Sequence, residues 1–90
     1  MQVRPIIPFW FRQRQIQTEL VHERVLRVSG PNLPPHEIRI ELDADGHTWR
    51  ATLVRLDGEA CVVAIGQAAE PHPQSAWQLG FELLRKHVVH

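Results

Sequence analysis

Ninety residues, 43% of them hydrophobic and 22% charged, suffice for one folded domain and exclude the low-hydrophobicity, high-charge composition of a disordered chain. The formal net charge is zero, and a single cysteine, Cys61, excludes an intramolecular disulfide or a thiolate metal cluster; its apolar neighbours suit a core thiol in a reducing compartment. No run approaches the ~18 apolar residues of a membrane span, and the N-terminus lacks a secretory signal pattern, so a cytoplasmic protein is expected.

In chain order, VRPIIPFWF comes first. Its two prolines exclude a helix interior or a central strand, so residues 1–11 read as an extended hydrophobic arm. FRQRQIQTELVHERVLRV is rich in helix formers, with apolar residues at 16, 20, 21, 25 and 28, and predicts a helix over 12–27. Leu26 and Val28 also suit the start of a strand. SGPNLPP is a turn-rich connector. HEIRIEL then alternates, with Ile38, Ile40 and Leu42 on one side and Glu37, Arg39 and Glu41 on the other, the period of a half-buried strand. Asp45-Gly46 and Asp57-Gly58 supply tight turns, and HTWRATLVRL and EACVVAIG are the strands that follow them, giving a sheet over 36–66. After Pro71 and Pro73 a helix is expected over 75–88, with Ser75 and Gln78 as a capping box and Trp77, Phe81, Leu84 and Val88 as its apolar stripe. Gly80, beside that stripe, implies close approach of helix to sheet. The expected fold is thus two-layer α+β: a three-stranded antiparallel meander between an N-terminal and a C-terminal helix, in α-β-β-β-α order.

Charge is distributed unevenly. Residues 1–27 have five basic groups against two acidic ones, whereas 36–70 have seven acidic against three basic, so the sheet reads as acidic and repels phosphate.

Catalytic and metal chemistry find little support. The six histidines (22, 36, 47, 72, 87, 90) are dispersed, and His87 and His90, the one close pair, lack the further ligands a tetrahedral zinc requires. ELDADG resembles a calcium loop in spacing only, because its twelfth position is Thr52 rather than a bidentate carboxylate. Ser29 abuts a turn, Ser75 has a capping role and Cys61 sits in an apolar run that raises a thiol pKa, so no nucleophile is nameable. A non-enzyme without cofactor is expected. A small ligand-binding protein or enzyme whose site only tertiary structure reveals is one alternative.

The helix, three-strand, helix order is similar to that of double-stranded-RNA-binding domains. The resemblance implies lysines at the start of the second helix to bridge phosphates. That stretch reads PHPQSAW here, and no Lys or Arg stands between Arg55 and Arg85. As a degenerate nucleic-acid binder the chain would use Arg12 and Arg14.

The third strand is peculiar. Cys61 to Ile65 is apolar on both parities, and no charge stands between Ala60 and Ala69. With Cys61, Val63 and Ile65 facing the helices, Ala60, Val62 and Ala64 would join Val54 as an apolar strip on the far face, at a sheet edge that recruits other chains. Either the arm covers this strip or another chain does, a second copy or a partner's strand added by β-augmentation. The expected function is a non-catalytic module for homodimerisation or protein binding, through Ile7, Phe9, Trp10, Val54, Val62 and Ala64.

Overall fold

A computed structural model describes residues 3–89. It corrects the expected fold. The sheet has five strands, all antiparallel neighbours in chain order: β1 Gln17–His22, β2 Val25–Gly30, β3 Leu33–Leu42, β4 Trp49–Arg55 and β5 Cys61–Gln67. A short helix, α1 (Phe9–Gln13), precedes them, and a long one, α2 (Pro73–His87), follows.

The helix expected over 12–27 is instead the end of α1 and a β-hairpin. Ile16, Leu20, Leu26 and Val28 all lie on even positions and all pack on the core, which is a strand period read across a two-residue turn at 23–24. Leu20 pairs with Leu26 and Thr18 with Val28. Helix-forming Gln, Glu and Arg between them are the solvent-facing positions of an edge hairpin, where burial of the other parity outweighs propensity. The connector is likewise shorter than expected. Only residues 31 and 32 form the turn, and Pro34 and Pro35 belong to β3, in the irregular stretch between the Val28–His36 and Gly30–Leu33 pairs where missing N–H donors are tolerated. The arm, too, is not extended throughout, because α1 occupies residues 9–13. Gln15, with φ 57°, reverses the chain from α1 into β1.

One sheet face carries the core. Leu26, Ile38 and Leu53 are neighbours across three strands, Ile40 and Ala51 across two, and α2 lies over β3, β4 and β5. The helix begins at Pro73 rather than at a Ser75 cap. His72 is its N-cap without a side-chain bond, and proline in the first turn gives up only an N–H that would be orphaned anyway. Trp77, Phe81 and Leu84 are buried and Val88 is half-buried. Gly80 meets the sheet directly, since a Cβ there would overlap Ile38 Cγ2 and lie 3.8 Å from the Ala51 Cβ. The N-terminal segment lies against α2 rather than across the opposite sheet face. Trp77 Nε1 donates to Val3 O at 3.1 Å, and the Phe11 ring stands edge-on to Phe81 with centroids 5.2 Å apart.

Candidate interaction surface

The second sheet face has no layer over it, and its register divides it in two. Glu19, Arg27 and Glu37 stand in one row across β1, β2 and β3, and Glu41 pairs with Arg50 across β3 and β4. These side chains neutralise one another. Arg39 Nη2 and Arg27 Nη2 donate to the two oxygens of Glu37 at 2.8 and 3.0 Å, and Arg50 reaches Glu41 at 3.3 Å and Asp43 at 3.4 Å. Burial alone would raise the Glu37 pKa, but the hydrogen bonds and charges of Arg39 and Arg27 outweigh it and hold the carboxyl below its usual value of 4.5. The sheet expected to be acidic is therefore paired, carboxylate by arginine.

Toward β5 two rows lose their charge. Glu37 is followed by Val54 and Val62, and Arg39 by Thr52 and Ile65, so four side chains form a two-by-two uncharged block at the sheet margin. Val62 is 54% and Ile65 58% exposed, whereas Val54 is 3% exposed and Thr52 is buried. Between them the register slips. Leu53 pairs with Ala64 but Val54 with Val62, leaving Val63 as the extra residue of a β-bulge.

That bulge explains the double-sided hydrophobicity of CVVAIGQ. One inserted residue exchanges the parities, so Val63 and Ala64 both pack on the core while Val62 and Ile65 both face out. Ala64, expected beside Val62, thus lies on the helix side, and Ile65 takes its place. Cys61, expected in the core, is exposed. A bulge leaves no periodic signal of its own, which is why alternation alone misplaced Ala64 and Ile65; Cys61 precedes the bulge, opposite Arg55 at the start of β5, and is exposed there.

The other site residues lie elsewhere. Ile7 and Phe9 are exposed and Trp10 is half-buried, next to Phe11 and under Arg85 on the helix layer. They are separated from the Val62 block by the thickness of the sheet. Arg12 lies in the last turn of the five-residue α1 and Arg14 is its C-cap, so neither stands on a long helix, and the element order on which the likeness to RNA-binding domains rested is absent. Among the described residues no three His, Cys, Asp or Glu side chains converge on a metal position, and no helix is long and apolar enough to cross a membrane. His90 of the terminal pair lies outside the described residues. His36, unremarkable in the sequence, is buried with Nδ1 donating to Pro34 O at 2.6 Å, which serves the fold.

A wide-open concavity of about 940 Å³ is bordered by Gln15, Gln17, Ser29, Asn32, Pro34 and Pro35. It brings together neutral amides and a hydroxyl, without a charged group. No family model, curated protein or solved structure matches the chain.

Proposed function

We propose that the chain is a non-catalytic cytoplasmic module that binds protein through the apolar half of its open sheet face, with a second copy of itself as the first partner. The observation that carries this reading is the pair Val62 and Ile65, side by side and more than half exposed on an edge strand without charge. A two-fold interface sets a patch against itself, so an uncharged block suits it: any charge near the axis would face its own copy.

The bulge bears on how the copies meet. Bulged edges discourage regular strand addition. The proposed contact is therefore side-chain packing of one open face on another, not extension of the sheet by β-augmentation. Its strength follows from the areas involved. Fully burying a Val or Ile side chain contributes ~1.5–3 kcal/mol, and these are already about half buried, so two copies of the pair yield roughly 3–6 kcal/mol. Association costs at least ~4 kcal/mol, so the contact is weak and concentration-dependent unless the neighbouring arginine stems add to it.

Sedimentation of the wild type and of Val62→Glu across a concentration series tests this. The wild type should gain mass at high concentration. Val62→Glu should stay monomeric with unchanged circular dichroism, because position 62 is more than half exposed. A wild type monomeric at every concentration, or a variant that associates equally, would dispose of the proposal.

A further inference from the structure

The most exposed large apolar side chains are not on the sheet. Ile6 and Phe9 are each 70% exposed, and Ile7 is 40% exposed. They flank Pro8, which borders two shallow hollows, one shared with Ile7, Phe9 and Arg12 and the other with Ile6, Trp10 and Glu82. Pro5 and Pro8 restrict the backbone here, and the Trp77 Nε1 bond to Val3 O fastens the segment to α2. These side chains are thus held out on a stiff support.

The charge around them differs from that on the sheet. Arg27, Arg39, Arg50 and Arg55 all pair with carboxylates. Arg4, Arg12 and Lys86 are exposed and form no ion pair among the described residues, and the Arg85 guanidinium stands 5.8 Å from the centre of the Trp10 ring. Glu82 is the one acid among them. A protruding aliphatic and aromatic tip, a half-buried tryptophan and a rim of unpaired cations is the arrangement that enters the headgroup region of an anionic bilayer.

We propose that the Ile6–Trp10 segment is a peripheral anchor for an anionic lipid surface, with Ile6, Ile7 and Phe9 entering the interface and Arg4, Arg12 and Arg85 facing the headgroup phosphates. Aliphatic tips favour lipid over nucleic acid, because Ile6 and Ile7 offer no ring on which a base can stack. This anchor is independent of the Val62 block, which lies on the other face of the sheet.

The test is cosedimentation with vesicles of phosphatidylcholine alone and with about a third of the lipid replaced by phosphatidylserine. The protein should pellet with the anionic vesicles, release in 1 M salt where the screening length falls to about 3 Å, and show a blue-shifted Trp10 emission that Trp10→Phe removes. Phe9→Asp, at an exposed position and so without effect on folding, should weaken partitioning at least tenfold. Arg12→Glu should weaken it about fivefold or more. Absence of pelleting at low salt, equal pelleting with both vesicle types, or undiminished binding of Phe9→Asp would overturn the anchor. So would a wild type that ignores vesicles while Phe9→Asp alters its self-association or its retardation of RNA.

Discussion

Gly80→Ala sets helix propensity against packing, and the structure determines which prevails. In an exposed helix interior the added methyl would stabilise by about 1 kcal/mol. At Gly80 it would overlap Ile38 Cγ2, the near methyl of a wholly buried side chain flanked by Leu26 and Leu53. That methyl has no free torsion of its own with which to retreat, so either the whole Ile38 side chain leaves its rotamer or α2 lifts off the sheet. Overpacking of this kind costs typically 1–3 kcal/mol, so after the propensity gain the net change is a loss of up to roughly 2 kcal/mol, seen as a lower urea midpoint at unchanged slope. The same substitution made in Ile38→Ala should reverse sign and stabilise that background, since the obstructing methyl is gone and Ala51 stands at ordinary contact distance. If Gly80→Ala stabilises the wild type, α2 does not approach the sheet as described.

Two carboxylates offer pH tests. Glu37, held below its usual 4.5 despite burial, contributes stability that is present above about pH 4.5 and is lost as pH falls through its lower folded value. Glu37→Gln should cost about 1–3 kcal/mol at pH 7 and flatten the acid limb of the stability curve; equal limbs for both proteins would contradict the Arg27–Glu37–Arg39 cluster. Asp45, in the turn between β3 and β4, accepts from the Thr48 hydroxyl and from the backbone amides of Thr48 and His47, which pull its pKa from 3.8 to about 2. Carboxyl-carbon NMR should show that midpoint, and Thr48→Val should move it back toward 3.8.

The C-terminal half was legible because its signals are local. Asp45-Gly46 and Asp57-Gly58 mark turns whose glycines have φ of 77° and 83°, and the alternation from Ile38 to Glu41 has one buried and one open parity. The N-terminal half was not, because Ile16 and Leu20 satisfy a helical spacing of four and a strand spacing of two equally well. The decision between them comes from Leu26 pairing with Ile38, a contact across sequence that periodicity does not encode. The outward pair at the sheet margin was half legible. Val62 was found from its lack of charge, whereas Ile65 depends on a bulge at Val63 that only pairing with β4 reveals. The arm was recognised as apolar, but its seat on α2 rests on the Trp77 bond to Val3 and the Phe11–Phe81 contact.

A methyl NMR dilution series tests the central claim most directly. If a second copy covers Val62 and Ile65, the methyl signals of these two residues should shift together with protein concentration while those of Ile6 and Ile7 stay fixed. Shifts confined to the arm, or none up to millimolar concentration, would contradict it.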